Sequence, residues 1–278
     1  MQVHAITTGY VKITEKWRQG EGRGLMRLIN TIFDKQRSEW LPIWCFVIEH
    51  DAGLIVVDTG IAANANDPVY FPPYMPLLQK AAQFKISREE ELDYQMRDRG
   101  LNPEDVRYVI LTHLHQDHDG GLNHFKNAEF VVSQKEWDAA SGLAGRMGGY
   151  LNHRWFDGFA PTVIDFTDGV FASFTESYQL LPGVTLVPTY GHSAGHLSVI
   201  VEDGSRALIF AGDMAYTEQA LQQMILDGVI SDLDIATESM RQMREYVNTH
   251  ETVFLPSHDP ESEKRLAEFL DREVIFQP

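Results

Sequence analysis

The stretch Thr112-His113-Leu114-His115-Gln116-Asp117-His118-Asp119-Gly120-Gly121 decides how this chain is read. Between His113 and His118 it gathers three imidazoles and a carboxylate. Such side chains are ordinarily exposed or paired, so their density at one point indicates a ligand role. Val106 to Leu111, just before, reads as a short buried strand, and the two glycines after it punctuate a turn. The ligands therefore sit on a loop at a strand end, where α/β folds place their chemistry. His113 and His115, spaced i and i+2, point the same way in an extended segment. Asp117 and His118 follow where the chain turns and can aim at a second point, so one loop could serve two metal ions. Neutral imidazole with carboxylate suits zinc, and also iron or manganese.

Other strand ends extend the set. Val184 to Pro188 leads into Tyr190-Gly191-His192-Ser193-Ala194-Gly195-His196. Ala207 to Ala211 runs into Gly212-Asp213, and Thr252 to Pro256 into Ser257-His258-Asp259. Each of these alone reads equally well as a turn residue. Together with the first motif they form an ordered series of strand-to-loop junctions, each ending in a ligand-type side chain.

That series, HxHxDH followed by GHSxGH, GD and a late histidine, resembles the metallo-β-lactamase superfamily over about Trp44 to Pro260. Val56-Val57-Asp58-Thr59-Gly60 resembles an early motif of the same superfamily. The resemblance implies a four-layer αββα sandwich made as one domain over residues 1–278. It implies that His113, His115 and His192 hold one metal. Asp117, His118 and His258 hold the other, and Asp213 bridges the two. The cofactor expected is a pair of divalent metal ions, zinc first, with iron, manganese or cobalt also suited. Asp58 would stand behind the ligands, though a plain turn aspartate explains it as well. His196 matches a position that does not ligate metal in the family.

The ligands also choose among branches of the superfamily, because the fold alone does not fix the reaction. Zinc β-lactamases typically lack the bridging aspartate, and some use a cysteine ligand. Here the single cysteine, Cys45, lies in an apolar strand segment and reads as a small core residue. Flavodiiron oxidases carry glutamate where His115 stands. Processing nucleases would call for a basic surface, against a net charge of −17. Glyoxalase II-like thioesterases share the ligands but usually add a C-terminal helical domain, for which too little chain follows His258. N-acyl homoserine lactonases share the ligands and resemble this chain further in a tyrosine three residues after the bridging aspartate, here Tyr216. The resemblance thus points to a lactone-opening hydrolase, a quorum-quenching enzyme. Tyr216, Asp213 and Asp117 would be its catalytic residues, and a metal-activated hydroxide its nucleophile. The alternative is a thioesterase, esterase or phosphodiesterase of the same superfamily. An aromatic packed on the core would explain Tyr216 without any catalytic role.

Composition sets the remaining bounds. A hydrophobic fraction of 44% is ample for a large core and argues against disorder. One cysteine excludes an intrachain disulfide, and no signal-peptide pattern opens the chain, so a cytoplasmic location is expected. The acidic balance does not favour nucleic acid or membrane as a partner, and the resemblance implies a small-molecule lactone or ester substrate. A capping-box pattern at Ser87-Arg88-Glu89-Glu90 predicts a helix to about Arg99. Helical spacing predicts helices from Asp234 to Asn248 and from Glu261 to Arg272. Leu25 to Phe33 is helix-like, Gly142 to Gly149 reads as a flexible loop, and residues 62–85 look too proline-rich for regular structure. Residues 17–40 and 62–85 read equally as a substrate wall or as the contact surface of a homodimer.

Overall fold

The computed structural model describes residues 2–67, 70–72 and 81–274. A seven-stranded sheet contains β1 (Gln2–Lys12), β2 (Leu41–His50), β3 (Gly53–Val57), β4 (Gln83–Lys85), β5 (Val106–Ile110), β6 (Glu129–Ser133) and β7 (Thr162–Ile164), in the order β4-β1-β2-β3-β5-β6-β7. A five-stranded sheet contains β8 (Tyr178–Leu181), β9 (Val184–Pro188), β10 (Leu197–Asp203), β11 (Arg206–Gly212) and β12 (Glu251–Pro256), in the order β12-β11-β10-β9-β8.

Side-chain alternation explains the layers, since successive strand residues face opposite ways. In β2, Trp44, Phe46 and Ile48 face the other sheet, while Cys45 and Val47 face outward. In β11, Leu208 and Phe210 face inward, and Ala207, Ile209 and Ala211 outward. Both faces of each strand are apolar, so each sheet needs a second cover. Helices Leu92–Asp98 and Gln134–Ala140 supply it for the larger sheet. Helices Glu218–Gln223 and Leu233–Thr249 supply it for the smaller one. The result is the expected αββα sandwich, with helix Ser262–Val274 tucking Leu266 and Phe269 into the core between the sheets. Among the described residues, no helix is long and apolar enough to cross a membrane.

The helix expected from Ser87 begins instead as a 3-10 turn, Arg88–Glu90, with its capping box formed. The α-helix itself is Leu92–Asp98, and Gly100 follows at φ +76°. Gly142 to Gly149 is not the flexible loop that its glycines suggest. Gly142–Gly148 is a helix. Asn152 ties it down by donating to the carbonyls of Ala140 and Gly142, and Arg146 donates to Asn152. A side chain at Gly145 would collide with the Ala140 carbonyl. Of residues 62–85, Ala63–Asn66 forms a 3-10 turn and Gln83–Lys85 a strand, while 68–69 and 73–80 lie outside the described residues.

Sheet direction positions the site. β3 runs parallel to β5, and β11 runs parallel to β12. β9 shares their direction within its sheet, being two antiparallel steps from β11. The C-terminal ends of β3, β5, β9, β11 and β12 thus gather at one edge, followed by Asp58, His113, His192, Asp213 and His258 respectively. Backbone bonds hold the edges together: Leu197 N–H donates to Thr112 and Trp44 N–H to Ser257, both across the sheets. Gly212 has φ +58°, and a Cβ there would press into the His196 ring at 2.5 Å, so the turn before Asp213 requires glycine.

Candidate metal centre

Hydrogen bonding fixes which nitrogen each histidine presents. The Thr112 hydroxyl donates to Asp58 Oδ2 at 2.8 Å, so His113 Nδ1–H must donate to that hydroxyl, at 3.1 Å. His118 Nδ1 bonds the same Asp58 oxygen at 2.8 Å. His192 Nδ1 bonds Asp227 Oδ2 at 2.9 Å, and His258 Nδ1 bonds the Pro42 carbonyl at 2.8 Å. Each of these four rings therefore turns Nε2 into the site, the arrangement that outer partners impose on metal-binding histidines. His115 faces the site through Nδ1, with its ring against Tyr150 at 5.5 Å. Asp58 does this work in a left-handed backbone, φ 59°.

The inward nitrogens form two pockets. His115 Nδ1 lies 3.0 Å from His113 Nε2 and 3.1 Å from His192 Nε2. Ligands of a tetrahedral zinc, with Zn–N about 2.1 Å, sit about 3.4 Å apart. In the second pocket His258 Nε2 is 3.6 Å from Asp117, and His118 Nε2 is 4.0 Å from it. Asp213 stands between the pockets, 3.3 Å from His258 Nε2, 3.4 Å from His118 Nε2 and 3.6 Å from His192 Nε2. His118 Nε2 and Asp213 Oδ1 are buried with no hydrogen-bond partner, although they lie 3.4 Å apart. Buried polar atoms are ordinarily satisfied, and a cation between these two would satisfy both. The residues present therefore fit a pair of divalent ions.

Burial and neighbouring charges set the charge states of the metal-free site. Burial, reinforced by the neighbouring imidazoles, pushes His113 and His115 well below the ordinary histidine value, into the neutral ligand form. Burial acts the same way on His118 and His258, but Asp213 overcomes it and raises both. Asp227 does the same for His192. Burial would raise Asp213, yet His258 and His118 hold it well below the usual carboxylate range.

Every ligand-type residue expected from the sequence reaches this cluster. His196 stands behind it. The Asp213 N–H donates to its Nε2 at 2.9 Å, which puts the ring proton on Nδ1, facing Thr189 Oγ1 at 2.8 Å. The Tyr216 ring stacks on His258 at 5.3 Å, and burial with Asp213 behind it pushes its phenol well above the usual value. Tyr216 thus stays a protonated donor. It lines a cavity of about 20 Å³ with Trp17, Asp117 and Asp213, room for a water-sized group. A larger groove of about 890 Å³ opens on His115 and His192 and is walled by Leu25, Leu28, Tyr150 and Leu233.

Three contributors escaped sequence reasoning: Asp227, Arg27 and Glu136. Glu136 is fully buried and accepts from Leu114 N–H, the Ser193 hydroxyl and Gly195 N–H, so it ties the loop of His113 and His115 to the loop of His192. Its position three residues after Ser133, on a helix start following β6, was the only sequence signal available. Glu91, Asp93 and His124 form another ligand-like group, but Arg88 and Arg97 already pair with Asp93, and His124 with Glu91.

Fold and centre together define a metal-dependent hydrolase of αββα architecture. The chain belongs to the metallo-β-lactamase superfamily, whose profile matches residues 38–258. It is 30% identical over 234 residues to the N-acyl homoserine lactonase AttM of Agrobacterium fabrum (strain C58 / ATCC 33970), covering 80% of this chain and 83% of that one. It is 28% identical over 231 residues to the N-acyl homoserine lactonase AiiA of Bacillus thuringiensis subsp. kurstaki, covering 81% and 84%. A solved structure of an N-acyl homoserine lactone hydrolase, with the product N-hexanoyl-L-homoserine bound at its catalytic metal centre, aligns with TM-score 0.75 and 25% identity over 94% of each chain.

Proposed function

We propose that this chain is a dinuclear-metal lactonase that opens the ring of N-acyl homoserine lactones, a quorum-quenching activity carried out in the cytoplasm. The observation that carries the reading is Asp213 placed between two histidine pockets, with the Tyr216 phenol beside it. Metal ligation by His113, His115, His192, Asp117, His118, His258 and Asp213 is part of the proposal. So is one domain over residues 1–278, supported by the core shared between the sheets. Two divalent ions bound there, zinc by preference, would supply an acidified water and a Lewis acid for the lactone carbonyl.

The protein's own groups do the rest. Tyr216, kept protonated by burial, donates to the carbonyl oxygen as negative charge grows on it. Asp117, at the cavity edge with its side chain 13% exposed, meets solvent and holds the incoming water in line. Asp213, which His258 and His118 hold ionised and only weakly basic, passes the water's proton on to the leaving ring oxygen without retaining it. The groove beside His115 and His192 holds the acyl chain against Leu25 and Leu28. The test is a substrate panel on protein of measured metal content: acyl homoserine lactones by proton release, S-lactoylglutathione, bis-aryl phosphate and phenyl acetate. The lactones are expected to give the highest kcat/KM. A higher value for the thioester or the phosphodiester overturns the reading.

A further inference from the structure

The segment 17–40 does more than wall the groove. Helix Gly24–Phe33 carries Leu25 and Leu28 on the groove side, 71% and 43% exposed, while Arg27 between them is 6% exposed. Arg27 reaches across to the 226–228 turn, far away in sequence. Its Nε donates to the Asp227 carbonyl at 2.8 Å, Nη2 to the Leu226 carbonyl at 2.7 Å, and Nη1 back to Gly22 at 3.1 Å. Gly20 N–H donates to Leu226, Gly228 N–H donates to Trp17, and the Thr31 hydroxyl donates to Gly228. A side chain at Gly228 would collide with Thr31 and the Lys16 carbonyl, so the two segments are in close contact. The turn so clamped presents one side chain to the metal centre. Asp227 Oδ1 accepts from Val229 N–H at 2.7 Å, and Oδ2 holds His192 Nδ1 at 2.9 Å.

We propose that Asp227 is a positioning residue for His192 and that Arg27 acts through it, so that the groove-wall helix sets the metal affinity of the His113/His115/His192 pocket. The inference rests on the two-pocket centre proposed above. A fork of donors on backbone carbonyls fixes where the turn lies, and a carboxylate on a ligating histidine fixes the ring and raises its basicity.

The test uses the full-length protein, stripped of metal and titrated with Zn²⁺ against a chelating dye and with Co²⁺ by its visible absorption. Asp227→Asn is expected to weaken one of the two metal equivalents by about 10- to 100-fold, the usual cost of losing an outer partner, with the other nearly unchanged. Arg27→Met is expected to weaken the same equivalent. The double variant should then bind no more weakly than Asp227→Asn alone, since residues acting through one contact are not additive. Should Arg27→Met fail to fold by circular dichroism, Arg27→Lys, which keeps the charge but loses the fork, takes its place. Parent-like affinity for both equivalents in Asp227→Asn overturns the proposal. So does an Arg27 effect that adds in full to that of Asp227→Asn. No substrate enters these measurements, so their failure is distinct from failure of the lactonase reading.

Discussion

The two halves of the centre are built differently. The His113/His115/His192 pocket is all imidazole, is held by Thr112 and Asp227, and opens on the large groove. The Asp117/His118/His258 pocket mixes carboxylate with imidazole, is held by Asp58 and the Pro42 carbonyl, and has Tyr216 stacked on its His258, while the small cavity that Tyr216 lines touches Asp117 on this side and His115 and His192 on the other. An imidazole-only pocket gains no charge neutralisation from its ligands. It therefore leans on Asp213, which both pockets share. The second pocket brings its own carboxylate. This division predicts a binding side and a chemical side, with Asp213 as their common element.

Removing the common element gives the largest effect. Asp213→Ala should weaken both metal equivalents beyond the roughly 100-fold ceiling of an outer-partner change, and turnover should fall with them. Metal analysis after dialysis checks this. Retention of two equivalents would erase the distinction between shared and private ligands. Tyr216→Phe tests the chemical side alone. Turnover on lactones should drop about 10²-fold, as for loss of one oxyanion donor, with metal content unchanged. Equal kcat would reduce Tyr216 to a ring packed on His258.

Asp58 spans both halves, bonding His118 directly and His113 through Thr112. Asp58→Asn should therefore weaken both equivalents, by about 10- to 100-fold each, where the Asp227 change affects one. Titration of the stripped protein distinguishes the patterns.

Acidity separates the pockets more gently. His118 and His258 are raised above the ordinary histidine value in the second pocket, whereas in the first only His192 is. Metal must displace those protons, so affinity falls on acidification by about tenfold per pH unit for each proton displaced. The second pocket should lose its metal with the steeper slope. The sign reverses for the metal-free protein. Raised histidines stabilise the fold below their unfolded value of about 6.5, and that stability is lost as pH rises through their folded values. Thermal midpoints of stripped protein should thus fall, not rise, as pH climbs above neutrality.

The clustering of the strand-end histidines and aspartates was legible because their information is local. A short apolar strand, a turn and a ligating side chain are adjacent in sequence, and the spacing from His113 to His118 carries the geometry. The sandwich was legible only through the family resemblance these junctions carry; its physical reason, that both faces of β2 and β11 are apolar and each demands a covering layer, is seen in the structure. Asp227 was not legible. Leu226-Asp227-Gly228 reads as an ordinary turn, and its contacts with the distant segment of Trp17, Arg27 and Thr31 fix where its aspartate lies. Glu136 was hidden for the same reason, since its partners lie on loops that the fold brings together from either sheet. Gly142–Gly148 misled in the opposite sense. Glycine lowers helix propensity, but Asn152 and the close approach to Ala140 decide the outcome.

The binding side yields the smallest and most specific effect. Leu28 is 43% exposed on the groove wall, so a chain lying there would bury only part of its side chain. Full burial of an apolar side chain is worth about 1.5–3 kcal/mol, and a half-buried one roughly half of that. Leu28→Ala should therefore raise KM for a decanoyl lactone by about three- to tenfold while leaving kcat and metal content alone. A butanoyl lactone, with six fewer carbons to lay along the groove, should show a much smaller change. If both lactones suffer equally, the groove does not hold the chain, and the first pocket is not the binding side. If the long chain suffers much more, the helix that carries Arg27 also reads the substrate. One short element would then connect chain length to the imidazole pocket through Asp227, with the carboxylate pocket left to the chemistry.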